Sequence, residues 1–267
     1  MALVYSLSKQ LMRATILARP SSVNKSPYLA DIKIDDTSEV AICHTAALGC
    51  CGYIAPGSKV WVAPKDLSND TIKSKYEVYH VEQDGVIICC HPLVANKISA
   101  EMFHLNHIIE DGVSINSEVT CGDSRYDFGG QLLSGKEFFL EVKSVVMADP
   151  IDGTAAELKS ALPTPGAKLA IFPYGKRKVS NDPLSPRALK HVEGLTEQVA
   201  KGKTCYLLFL VMRPDVRAFT VTKCDPIYQT AVKAAISAGV NVLAYRIEWK
   251  GNKAYNLGQL PVEFAMV

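Results

Sequence analysis

The run Cys205-Tyr206-Leu207-Leu208-Phe209-Leu210-Val211 carries no charge and does not alternate apolar with polar residues. A strand with one wet face would alternate, so this run suits the middle of a sheet covered on both sides. Ile227 to Ala238 then has helical spacing and is stopped by Gly239, and Asn241 to Glu248 returns as a strand. The order strand, helix, strand fits a mixed α/β core.

The N-terminal part reads differently. Arg13 to Ala18, Leu29 to Asp35, Glu39 to His44, Lys59 to Ala63, Tyr76 to Glu82 and Val86 to Cys90 are short strand-like segments, with Asp35-Asp36, Pro56-Gly57 and Asp84-Gly85 as turns between them. Short strands at this spacing suit a small barrel. Asn96 to Glu110 has helical character, with Ile98, Met102, Leu105 and Ile109 spaced to cover one face. Ala148 to Pro165 is rich in Ala, Pro and Gly and reads as a loop or insertion.

Between these parts lie Ser124-Arg125-Tyr126-Asp127-Phe128 and Phe139-Leu140-Glu141-Val142-Lys143. Strand side chains repeat with period two, so Glu141 and Lys143 share one face while Leu140 and Val142 take the other. Gly129, Gly130, Ser134 and Gly135 allow a turn that returns the second strand beside Asp127. Two carboxylates and an ammonium then converge. Neighbouring carboxylates resist joint ionisation, and a hard divalent cation such as Mg2+ or Mn2+ resolves the conflict through oxygen ligands. Lys143 is left to act on water or phosphate, an arrangement suited to metal-assisted phosphodiester hydrolysis. The plain alternative is a surface Glu-x-Lys pair.

Charge is uneven along the chain. Glu101 to Ser160 holds 4 basic and 11 acidic residues, and Lys168 to Lys223 holds 11 basic and 4 acidic. The basic stretch contains Lys176-Arg177-Lys178 and the helical set Arg187, Lys190 and His191, whose i, i+3, i+4 spacing places them on one face toward a phosphate-bearing groove. Eight cysteines without a secretory signal or a Cys-x-x-Cys pair point to reduced thiols, and His104-x-x-His107 reads as structural or surface histidine. No run approaches the length of a membrane span, so the expectation is a cytoplasmic protein with no membrane partner. Basic residues and serines precede the first acid, Asp31, which leaves import into an organelle or the nucleus open.

Nearly the whole chain resembles the sugar fermentation stimulation protein A family. The stretches that carry the likeness are Tyr28 to Ile32, Pro56 to Trp61, Ala95-Asn96-Lys97, Ser124 to Phe128, Leu140 to Val145, Arg187-x-x-Lys190-His191 and Ala238 to Arg246. The chain departs from the family at Cys43 to Leu48, which lacks an Asn-Thr-Gly element, and at Tyr174, which stands where the family has Asp. The resemblance implies an OB-like β-barrel over residues 1–90 and a mixed α/β domain of the PD-(D/E)xK nuclease type over 91–267. It further implies DNA, more than RNA, as partner; the candidate contacts are Arg125, Arg187, Lys190 and His191, together with Lys176 and Arg177, which the charge of the basic stretch supplies. Asp127, Glu141 and Lys143 become the catalytic set, with Mg2+ or Mn2+ held by Asp127, Glu141 and the Val142 carbonyl. Nucleases of this fold often draw another acid from their first core helix, which here is Glu101. The competing expectations are a DNA-binding regulator that no longer cuts and an RNA-processing nuclease.

Overall fold

A computed structural model describes residues 1–45, 50, 52–65, 74–161, 168–175 and 182–264. Strands β2 (Met12–Ala18), β3 (Leu29–Ile34), β4 (Val40–His44), β5 (Lys59–Pro64), β6 (Tyr76–Gln83) and β7 (Val86–Cys89) form one sheet in the order β4-β3-β2-β5-β6-β7. β4 also pairs in parallel with β6 through Cys43 and Tyr76, which closes five strands into a barrel. Ile16, Ile32, Val60, Val62, Val81 and Ile88 fill its interior. Asp84 and Gly85 both adopt positive φ, 53° and 75°, between the paired residues Gln83 and Val86, the two-residue turn that matches strand twist. The barrel expected from the spacing of short strands is therefore present.

A seven-stranded sheet follows, in the order β1-β16-β15-β13-β10-β9-β8. Its members are β1 (Ala2–Ser6), β8 (Gly112–Cys121), β9 (Ser124–Leu132), β10 (Glu137–Val145), β13 (Thr204–Val211), β15 (Asn241–Lys250) and β16 (Lys253–Gln259). At its centre β10, β13 and β15 run parallel. Leu207 to Val211 are wholly buried on both faces, as their uninterrupted apolar run requires. Helix α1 (Pro92–His104) covers one face. Helices α3 (Pro186–Ala200) and α4 (Pro226–Ala238) cover the other. The short helix α2 (Ala155–Ser160) and a smaller sheet of β11 (Ala148–Asp149), β12 (Lys168–Phe172), β14 (Val216–Val221) and β17 (Val262–Glu263) complete the architecture. The chain thus adopts the expected combination of a small closed barrel and a mixed α/β part.

Three details differ from the sequence reading. β1 adds to the edge of the seven-stranded sheet beside β16 rather than to the barrel. The first helix ends at His104, not Glu110, because Asn106 takes a left-handed conformation (φ 56°). The N–H groups of Asn106 and His107 then bond back to the carbonyls of Phe103 and Met102, a C-terminal cap that leaves Leu105 exposed. Finally, Gly129 and Gly130 lie inside β9, and only Ser134 and Gly135 belong to the turn. A Cβ on Gly130 would meet the Ser114 carbonyl oxygen at 1.8 Å, so the glycine serves the close approach of β8.

All seven described cysteines are free thiols, and the adjacent Cys89 and Cys90 pack into different cores. Among the described residues no helix is long and apolar enough to cross a membrane.

Candidate metal and nucleic-acid site

The site begins where a ladder stops. β9 and β10 pair from Gln131↔Glu137 to Phe128↔Leu140 and no further. The next N–H in line, that of Val142, bonds instead to Asp127 Oδ2 at 2.8 Å. In a regular strand Tyr126 and Phe128 would share a face. Here Phe128 packs with the core under α1 and Tyr126 with the core under α3 and α4, so the strand turns over at Asp127. The neighbouring strand follows: Glu118 has φ 56°, with Ile115 against the first core and Val119 against the second. The distortion aims the Asp127 carboxylate along the sheet instead of into either core. Asn96 on α1 fixes its other oxygen, Nδ2 to Oδ1 at 2.8 Å.

Glu141 is 2% exposed and projects toward α3. Its Oε1 accepts from Lys143 Nζ at 2.6 Å and is also contacted by His191 Nδ1 on α3, which carries a proton in the tautomer that can donate to a carboxylate. Lys143 Nζ stands 3.3 Å from the same ring nitrogen. Two donors therefore crowd one oxygen. The other, Oε2, is buried and has no hydrogen-bond partner. A buried carboxylate oxygen left bare is costly, and native structures rarely leave one without a function.

The two carboxyls titrate in opposite directions. Burial, and then the charge of Glu141, push the Asp127 carboxyl above its ordinary value, outweighing the Val142 and Asn96 hydrogen bonds. Burial also opposes ionisation of Glu141, but the His191 hydrogen bond and the Lys143 charge overcome it and hold that carboxyl low. Tyr228, on the first turn of α4, is fully buried with an unpartnered hydroxyl, and burial followed by the Glu141 charge raises its phenol. The site is thus one ionised carboxylate with a bare oxygen, a second carboxylate raised by its charge, and two nitrogen donors alongside.

This chemistry fits a hard divalent cation: the Asp127 and Glu141 oxygens and the Val142 carbonyl are the right donor class, and positive charge there would relieve both the bare oxygen and the repulsion. Among the described residues no group of three or more His, Cys, Asp and Glu side chains converges on one metal position. Glu101 is exposed on α1 and its charge is felt at Tyr5 on β1. Five residues separate it from Asn96, about 140° around the helix, so the two cannot face the same site. Asn96 is the helix residue that the charge-led reading missed, although it lies in the quoted stretch Ala95-Asn96-Lys97.

Of the expected nucleic-acid contacts, Arg187 and Lys190 are exposed on α3, while His191 turns inward onto Glu141. Arg125 is exposed on β9 and pairs with Glu118 at 3.2 Å. Lys176, Arg177 and the Ala46 to Leu48 part of the altered loop lie outside the described residues.

Residues 93–253 match the family model described as the sugar fermentation stimulation protein RE domain. A sugar fermentation stimulation protein homolog from Clostridium tetani is 28% identical over 246 residues, covering 91% of this chain and 92% of the relative. One from Lacticaseibacillus casei is 32% identical over 197 residues, covering 72% and 70%. Among solved structures, Pyrococcus furiosus SfsA in complex with Ca2+ matches 98% of this chain and 100% of its own, with a TM-score of 0.76 and 21% identity. At that identity the match establishes the fold.

Proposed function

The chain belongs to the sugar fermentation stimulation protein family, and from that premise we propose that it binds DNA and hydrolyses phosphodiesters at a divalent-cation centre built on Asp127, Glu141 and Lys143. The observation that carries the reading is the bare, buried Oε2 of Glu141 beside a carboxyl that Glu141 itself destabilises. Asp127, Glu141 and the Val142 carbonyl would hold Mg2+ or Mn2+. Once bound, such a cation polarises phosphate oxygens and lowers the pKa of its water. The related protein solved with Ca2+ lends support, since Ca2+ is likewise a hard, oxygen-seeking ion.

The protein's own groups have separable tasks. Asn96 orients Asp127. His191 and Lys143 occupy one oxygen of Glu141 and so present the other. Lys143, its side chain 12% exposed, is the group that reaches water or phosphate. Arg187 and Lys190 supply exposed positive charge for the DNA backbone, a sequence-independent and salt-sensitive attraction. The division at residue 90 into barrel and nuclease-like domain is part of the proposal, with β1 crossing it.

The test is incubation of the protein with single- and double-stranded DNA and RNA in Mg2+, Mn2+, Ca2+ or chelator. Cleavage of DNA in Mg2+ or Mn2+, lost in Glu141→Gln, is the expected result. A second reading, a DNA-binding regulator of the same fold that does not cut, draws on the lack, among the described residues, of any group of three or more His, Cys, Asp and Glu side chains that could hold a metal ion. Intact DNA in every metal, with binding that survives chelation, would establish it.

A further inference from the structure

On the face of the sheet covered by α3 and α4, two buried oxygens have no hydrogen-bond partner among the described residues: Glu141 Oε2 and the Tyr228 hydroxyl. Ionised, the first can only accept, whereas the second both donates and accepts. Glu141 and Lys143 lie on this face because their β13 neighbours Leu207 and Phe209 pack into the same core as Tyr228. Phe172 joins the two sides, with its ring 5.6 Å from that of Phe209 and 5.7 Å from that of Tyr228 between centroids. Asp225, the N-cap of α4, accepts from the Tyr228 N–H at 3.1 Å and so holds the backbone end of the residue. Burial does most to raise the Tyr228 phenol, and of the two charges that add to it Glu141 outweighs Asp225. The hydroxyl therefore reaches away from its own helix end, toward β10.

Phenylalanine would fill the same space without leaving a hydroxyl bare, so packing alone does not explain a tyrosine at this position. The two oxygens do not bond each other, and what satisfies both must lie between them. Asp127, Glu141 and the Val142 carbonyl supply three oxygens, which leaves part of the shell of a hard divalent cation to water. Such an ion would meet Oε2, and one of its waters would meet the hydroxyl. We propose that Tyr228 is a positioning residue of the cation centre, and that its hydroxyl bonds a water of the coordination shell on the Glu141 side. A phenol raised by burial keeps its proton near neutral pH, so Tyr228 serves as a hydrogen-bond partner and not as a base. This inference rests on the cation reading above.

The experiment compares the full-length parent with Tyr228→Phe, which removes the hydroxyl and keeps the ring. Each is titrated calorimetrically with Mn2+ and melted in chelator. Loss of one hydrogen bond to the shell should weaken Mn2+ binding about fivefold. The metal-free melting temperature should stay the same or rise, since a bare buried hydroxyl is replaced by an apolar edge. Equal Mn2+ affinity in the two proteins would overturn the role while leaving the cation centre intact. A lower metal-free melting temperature in Tyr228→Phe, whatever its affinity, would also overturn it, because the hydroxyl would then be a structural bond. A parent that does not bind Mn2+ would bring down the cation reading and this inference together.

Discussion

Arg213 and Glu141 are both charged side chains buried against the seven-stranded sheet, and their surroundings treat them differently. Arg213 is wholly buried, and its guanidinium forks onto Asp215 through bonds of 2.6 and 2.7 Å. Its remaining terminal nitrogen reaches the Tyr53 hydroxyl at 2.9 Å and the Val146 carbonyl at 3.1 Å. Lys168 joins Asp215 at 3.3 Å and Asp84 at 3.2 Å, so the cluster ties the barrel to the small sheet. Glu141, by contrast, has two donors on one oxygen and none on the other. On the proposed function, the satisfied charge serves the structure and the unsatisfied oxygen of Glu141 serves a bound cation.

The largest expected effect lies on the satisfied side. Arg213→Ala would leave Asp215 with Lys168 alone and unpair the Tyr53 hydroxyl, and should cost about 3–5 kcal/mol of stability. Denaturant unfolding measures this, and Mn2+ affinity per folded molecule should not change. A loss below about 1 kcal/mol would break the comparison, because a complete cluster would then matter no more than an exposed pair.

An unsatisfied group remote from the carboxylates sharpens it. His80 on β6 is buried with Nε2 unpartnered, its ring 4.4 Å from Trp249, whose Nε1 is also unpartnered. Burial, and to a lesser degree the neighbouring His91, push its pKa from 6.5 down to about 3. Above about pH 6.5 both folded and unfolded forms are neutral and nothing is lost. As pH falls toward 3 the unfolded chain takes up a proton the folded chain refuses, so stability should drop by about 2 kcal/mol between pH 7 and pH 5. Unfolding curves at the two pH values, with and without His80→Gln, check this. A slope that survives the substitution would place the acid sensitivity elsewhere.

A smaller effect concerns the exposed cations of α3. Arg187→Ala with Lys190→Ala should weaken DNA binding about tenfold at moderate salt and flatten the log–log salt dependence by about two, without altering the melting temperature. Unchanged affinity and slope would remove α3 from the binding surface.

How far this was legible in the sequence depended on how local each signal was. Asp84-Gly85 fixed its hairpin because two positive-φ residues leave little choice, and the uncharged run at Leu207 to Val211 declared a central strand. β1 was not legible: Ala2 to Ser6 becomes a strand only through pairing with Lys253 to Asn256, far away in sequence. Charge drew the reading to Glu101, whereas the residue that reaches Asp127 is the neutral Asn96. Helical spacing placed Arg187, Lys190 and His191 together but could not give depth, and Val192 and Leu195 sink that side of α3 far enough to bring His191 onto Glu141.

The central claim is that the bare oxygen of Glu141 exists for a cation. Calorimetric titration of Mn2+ into the parent, Asp127→Asn and Glu141→Gln, each paired with a melting curve in chelator, tests it most directly. The account predicts that the parent binds Mn2+, that both variants lose at least about tenfold in affinity, and that their metal-free stability moves by no more than about 1 kcal/mol. Unchanged Mn2+ affinity in both variants, or a parent that ignores the metal while Glu141→Gln loses several kcal/mol of stability, would show instead a structural ion pair.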